Sequence, residues 1–156
     1  MKIVIAAVGK PRDRHLAAAI AEYETRVRRY FSFELAEVRE ASGSAGLRPE
    51  QVRDREGERL LERCPPSALL YACDERGDRL TSQQFSEVIG RARDTARDVA
   101  FVIGGAYGLS ESVRARATKL LQVAPWTLPH EMARLVLTEQ LYRAATILRG
   151  EPYHKP

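Results

Sequence analysis

The chain has 156 residues, 44% of them hydrophobic and 29% charged, with 2 cysteines and a formal net charge of +4. A chain of this size forms a single domain, residues 1–156, with a sizeable core. No apolar run approaches the ~20 residues of a membrane span. Met1 leads directly into a strand-like segment, with no signal-peptide pattern ahead of it. Two cysteines are too few for a disulfide framework, and His15, His130 and His154 lie far apart with no cysteine pair at ligand spacing. A cytoplasmic protein without a metal is therefore expected.

In chain order, Lys2 to Val8 is an apolar, β-branched run and predicts a first strand. Asp13 caps a following helix in which Leu16, Ile20, Tyr23, Val27 and Tyr30 recur at helical spacing. Phe33, Leu35 and Val38 predict a second strand, and residues 41–47 (ASGSAGL) a Gly/Ser loop. Pro49 opens a second helix, which Pro65-Pro66 stops. Ser67 to Cys73 reads as an unbroken buried strand and Asp74 to Leu80 as a turn. Thr81 and Gln84 form a capping box for a third helix carrying Phe85, Val88, Ile89, Ala92 and Ala96. Val99 to Ile103 is a fourth strand, Ser110 caps a short helix, and Leu120 to Val123 make a brief fifth strand. Pro129 opens a long last helix ending at Gly150. Alternation of strands and helices places the chain in the α/β class, with a mainly parallel sheet and helices on both faces.

In the last helix, Leu137, Leu141, Ala144 and Leu148 make one apolar stripe, flanked by Met132, Leu135 and Val136. A helix apolar over so much of its circumference is buried on two sides, and in a small chain a second subunit supplies the other side. A homodimer is expected.

Chemistry concentrates at two places. Gly104-Gly105-Ala106-Tyr107-Gly108 joins a strand to a helix, where glycines let backbone approach a ligand; a tight turn without ligand is the alternative. Ligands of open α/β sheets collect at the carboxyl ends of the strands, which would gather these glycines with Cys73-Asp74 and the segment Val123-Ala124-Pro125-Trp126-Thr127-Leu128 into one pocket. Trp126 is expected in the core, a flat wall for an aromatic ligand being the alternative. Cys64 and Cys73 have no activating neighbours and read as inert apolar fillers. The second place is the tail, where Tyr153, His154 and Lys155 present a ring, an imidazole and a cation in succession, suited to gripping a base and its phosphate. Basic residues outnumber acidic ones from Phe101 onward, which permits a nucleic-acid partner.

Three segments, FVIGGAYGLS (101–110), TLPHEMARLVLTEQLYR (127–143) and GEPYHK (150–155), resemble the SPOUT-class ribosomal RNA large-subunit methyltransferase H family, the pseudouridine N3-methyltransferases. The resemblance runs over nearly the whole chain, through Val8-Gly9-Lys10, Glu56 to Leu61 and Ser82 to Phe85. It implies a C-terminal trefoil knot and a metal-free homodimer using S-adenosylmethionine. The implied substrate is a pseudouridine of 23S rRNA within the assembled ribosome. By matching position, Cys73, Gly104, Gly105 and Val123 to Leu128 (Ala124, Pro125, Trp126 and Thr127 included) would bind the cofactor. Tyr153, His154 and Lys155 would complete the target-base site of the partner protomer. Arg143 or Lys155 would stabilise negative charge on the ring, and Glu139, His130 or His154 would accept the N3 proton. Two positions depart from the family: Cys73, commonly aliphatic there, and Lys155, an arginine in some members. A different nucleotide-binding α/β enzyme and a non-catalytic ribosome-binding factor are the alternatives, separated by cofactor specificity and by methyl transfer respectively.

Overall fold

The computed structural model describes residues 1–42 and 46–155. Strand β1 (Lys2–Val8) leads to helix α1 (Arg14–Arg28), β2 (Ser32–Val38), α2 (Pro49–Glu62), β3 (Leu69–Arg79) and α3 (Ser82–Asp94). Then come β4 (Val99–Ile103), α4 (Glu111–Arg116), β5 (Lys119–Gln122) and α5 (His130–Leu148). The five strands form one sheet in the order β2-β1-β4-β3-β5, and every neighbouring pair is parallel.

Strand alternation sorts the core into two halves. Ile3, Ile5 and Ala7 of β1 pack with Val27 of α1, Phe85 and Ile89 of α3 and Leu137, Leu141 and Ala144 of α5. Val4, Ala6 and Val8 face the other way, onto Leu60 of α2 and Val113 of α4. Covered on both faces, β1 beyond Lys2 and the whole of β4 are apolar, which is why these stretches run without polar interruption. The helix starts are specified locally. Asp13 accepts the N–H groups of His15 and Leu16 at 2.8 and 2.9 Å. Thr81 and Gln84 bond each other's backbone at 3.2 and 2.9 Å, and Ser110 accepts the N–H of Val113 at 3.3 Å.

Two sequence expectations are corrected. The segment 74–80 is no simple turn: β3 continues through it to Arg79, paired with β5 after a register shift between Cys73 and Asp78. A polar stretch forms a strand here because β5 supplies its ladder partner. The side chain of Gln122 adds a bond to the carbonyl of Glu75 at 2.9 Å. Gly77 is required at that crossing, since a Cβ would stand 2.5 Å from the backbone of Leu121. Ala96 lies beyond α3 in the left-handed region, at φ 51, rather than on the helix. The Gly/Ser loop expected over 41–47 falls partly on residues 43–45, outside the described residues.

Helix α5 lies between α1 and α3 on one sheet face. Arg134, 7% exposed in its side chain, bonds Glu24 of α1 and Glu37 of β2, both at 3.0 Å. The opposite side of α5 is less covered: Met132, Leu135, Val136 and Ile147 are only half-buried. No helix among the described residues is long and apolar enough to cross a membrane.

Candidate functional site

The middle of β3, the carboxyl end of β4, the turn after β4, the segment after β5 and the start of α5 enclose a cleft of about 460 Å³, within the roughly 300–1,000 Å³ range of small-molecule sites. Cys73, Gly104, Gly105, Val123, Ala124, Trp126, Thr127, Leu128 and His130 all line it. Pro125 sits within the same segment but does not itself line the cleft. The glycines are close-approach positions. A Cβ on Gly104 would come within 2.8 Å of the Gly108 backbone, and one on Gly105 within 2.8 Å of Glu56 Oε2 and 3.0 Å of Val8 Cγ1. The turn is closed by the N–H of Gly108 donating to the carbonyl of Gly105 at 3.1 Å.

Gly105→Val is therefore expected to displace the turn and to weaken binding in the cleft by about tenfold or more, a misplacement of the order of an ångström sufficing. Calorimetric titration checks this, and an unchanged affinity would mean that the binding site lies elsewhere.

Asp74 lines the cleft as expected, and three charged side chains join it that sequence reading did not single out: Arg53 from α2, Glu75 from β3 and Arg114 from α4. Burial alone would push the Asp74 carboxyl up, but the N–H of Arg76 and the Arg114 guanidinium at 2.7 Å outweigh it and hold it below the usual range. Asp74 therefore stays ionised, and the pair fixes the middle of β3 against α4. Burial pushes the Cys64 thiol up to about 11. Burial and the neighbouring Asp74 carboxylate push Cys73 up to about 12, so neither cysteine is a nucleophile at neutral pH. Trp126 is not in the core: it is 79% exposed at the cleft lip, because Pro125, Thr127 and the tryptophan itself lie on a surface segment with nothing packed over them. Tyr107, on the glycine turn, is exposed beside the same cleft.

The remaining candidates form a separate cluster on α5 and the tail. Glu139 Oε1 accepts from Arg143 Nη2 at 2.6 Å and from the Tyr153 hydroxyl at 2.9 Å, while Oε2 accepts from Gln140 at 2.7 Å. The Arg143 guanidinium lies 5.0 Å from the Tyr153 ring centroid, and Tyr153 packs on Tyr142 at 4.6 Å. The bond to Glu139 raises Arg143 above its ordinary value. Burial, with bonds to Tyr23 and Glu139, keeps Tyr153 a phenol. The tail is thus anchored, with Glu151 accepting from Tyr30 at 2.6 Å. His154 is half-buried with Nδ1 lacking a partner among the described residues, and Lys155 is exposed. Within one chain this cluster does not line the cleft. Glu139 lies nine residues along α5 from His130, ~13 Å at the helical rise.

A parallel α/β sheet with a glycine-walled cleft at its carboxyl edge defines the class that binds nucleotide-like ligands at strand ends. Comparison with known proteins narrows the class. The family described as "Predicted SPOUT methyltransferase" matches residues 1–154. A protein of Gemmatimonas aurantiaca named Ribosomal RNA large subunit methyltransferase H is 50% identical over 155 residues, covering 99% of this chain and 100% of the relative. One of the same name from Anaeromyxobacter sp. (strain Fw109-5) is 51% identical over 155 residues, with 99% and 100% covered. A solved structure described as a hypothetical protein shares the fold, at TM-score 0.54 and 15% identity, over 95% of this chain and 68% of its own. The chain belongs to the SPOUT methyltransferase family.

Proposed function

We propose that the protein transfers a methyl group from S-adenosylmethionine to N3 of a pseudouridine in 23S rRNA of the assembled large subunit, acting in the cytoplasm as a homodimer. The observation that carries the cofactor assignment is the cleft itself: glycine-walled, backbone-rich and continuous with residues 122–128, in a chain of a methyltransferase family. Its relatives' names supply the large-subunit rRNA.

Gly104, Gly105 and residues 123–128 would hold the cofactor, with Cys73 a small apolar contact. When bound, it supplies a methyl already activated as a sulfonium, which leaves positioning as the protein's main task. The pyrimidine imide must lose its N3 proton, and a cation beside the ring stabilises the charge that appears. Arg143, held protonated and aimed by Glu139, suits that role. Both oxygens of Glu139 are engaged, so Glu139 orients rather than abstracts, leaving His130 at the cleft and His154 in the tail as proton acceptors.

Separation of the α5–tail cluster from the cleft within one chain supports a composite site, the tail of one copy meeting the cleft of the other. The half-exposed apolar side of α5 adjoins a groove of about 320 Å³ lined by Leu80, Phe85, Leu121, Val123, Val136 and Leu137, a surface suited to a second copy. The resemblance also implies the knot, in keeping with the chain passing outside β3 as β5 before returning to α5.

A small dimer has little area for reading sequence, so phosphate contacts from Lys10, Arg12, Arg26 and Arg29 would give salt-dependent affinity and the ribosome would give the shape. Labelled S-adenosylmethionine incubated with ribosomes lacking the modification, beside stripped rRNA, tests this. Label confined to a pseudouridine of the intact ribosome is the expected result. Equal labelling of stripped rRNA removes the composite-surface argument, and label in neither removes the substrate assignment.

A further inference from the structure

Helix α2 carries a buried group that the proposed reaction leaves unused. Glu56 is 2% exposed. Its Oε1 accepts the N–H of Ala41 at 3.0 Å, just past the end of β2. Its Oε2 has no hydrogen-bond partner among the described residues and lies where a Cβ on Gly105 would approach to 2.8 Å. The carboxyl group is thus wedged between the β2–α2 connection and the glycine turn that walls the cleft. Unsatisfied buried oxygens are rare in folded proteins, and one kept against a ligand-binding turn calls for an explanation beyond packing.

The contacts continue from Ala41. The Glu40 carboxylate accepts from Arg12 Nη2 at 3.1 and 3.2 Å, and the Arg12 N–H donates to Glu131 Oε1 at 2.7 Å. Glu131 adjoins His130, which lines the cleft. A closed circuit results: Gly105, Glu56, the β2 exit, Arg12, then the first turn of α5 and back to the cleft. On its outer side stand Lys10 and Arg12, and Arg59 bonds the carbonyl of Arg39 at 2.7 Å.

We infer that Glu56 is a positioning residue of the cofactor cleft, its carboxyl group setting the Gly104–Gly105 turn against the β2–α2 connection and so coupling the basic rim to cofactor binding. This rests on the cleft being the S-adenosylmethionine site. Burial, the largest influence, together with Glu40 holds the Glu56 carboxyl above its usual range, against the bond from Ala41 and the charges of Arg59 and His130. Reach and charge are separable by substitution. Glutamine reproduces the reach; aspartate, one methylene shorter, reproduces neither contact.

The test is an S-adenosylmethionine titration of wild type, Glu56→Gln and Glu56→Asp, followed by fluorescence of Trp126, the chain's single tryptophan and exposed at the cleft lip. Melting curves and ribosome methylation kinetics accompany it. Glu56→Asp is expected to weaken cofactor affinity about tenfold, the equivalent of one well-made hydrogen bond. Its KM for cofactor should rise while kcat at saturation holds, and Glu56→Gln should bind within about twofold of wild type. Aspartate binding as tightly as wild type, or both variants losing melting temperature with affinity unchanged, would reduce Glu56 to a packing residue. A wild-type protein that binds no S-adenosylmethionine overturns the cleft assignment and this role with it, and is told apart by occurring before any substitution is made.

Discussion

On the proposed mechanism, Arg143→Ala is expected to lower single-turnover methyl transfer by about 10²–10³-fold, the range for removing a group that faces developing negative charge. Cofactor affinity and melting temperature should stay near wild type. The pair with Glu139 is an i,i+4 contact on the half-exposed side of α5, with side chains 29% and 18% exposed. Pairs of that kind add little stability, so the loss would be kinetic. Arg143→Lys should recover only part of the rate. An ammonium lacks the planar face that lies over Tyr153 and the fork that meets Glu139. Rapid-quench kinetics with labelled cofactor, beside calorimetry, measure both quantities. Should Arg143→Ala instead lose cofactor binding or unfold, the residue belongs to the scaffold and its proposed role toward the target base falls.

Arg134→Ala is expected to destabilise the fold by about 3–5 kcal/mol, because removing it leaves the buried Glu24 carboxylate and the half-buried Glu37 uncompensated. For a domain of this size that lowers Tm by roughly 10–15 °C. Arg134 binds Glu24, itself 7% exposed, and Glu37, tying α5 to α1 and β2. Arg28, 3.8 Å from Glu24, offers partial compensation and sets the lower end of the range. Replacing Arg134 by Met and Glu24 by Leu together should recover much of the loss, since a packed apolar pair needs no desolvated charge. Scanning calorimetry checks both. A single variant within about 1 kcal/mol of wild type would show that α5 is held by its apolar stripe and not by the ion triad.

The sequence reading and the structure agree most closely where local chemistry acts alone. Asp13, Thr81 with Gln84, and Ser110 cap helices wherever they occur, because a side-chain oxygen next to free N–H groups needs no distant partner. The apolar runs at 3–8 and 99–103 are strands for a comparably simple reason: only strands covered on both faces bury every residue. The cleft wall is legible too, since Gly104, Gly105 and the Pro125–Pro129 segment mark strand exits, and strand exits of a parallel sheet share one edge.

Other features are decided by what lies across from them. Residues 74–79 read as a turn yet extend β3, because β5 lies alongside and Gly77 lets its backbone pass. Trp126 reads as core and is exposed, since the burial of one side chain depends on which surface faces it. Arg53, Glu75 and Arg114 reach the cleft from three different elements. Glu56 looks like one more charge in a charged helix until Gly105 and Ala41 are seen against it.

By itself the sequence determined the α/β class, the order and capping of the elements, two inert cysteines, the glycine wall and the family. Periodicity, caps and motifs are written in neighbouring residues. Only the tertiary structure decided that Arg53, Glu75 and Arg114 join the cleft, that the Glu139–Arg143–Tyr153 cluster stands apart from it within one chain, and that Glu56 and Arg134 are buried. Those depend on contacts between residues far apart in the chain, which form when the sheet closes and local preference has no further say.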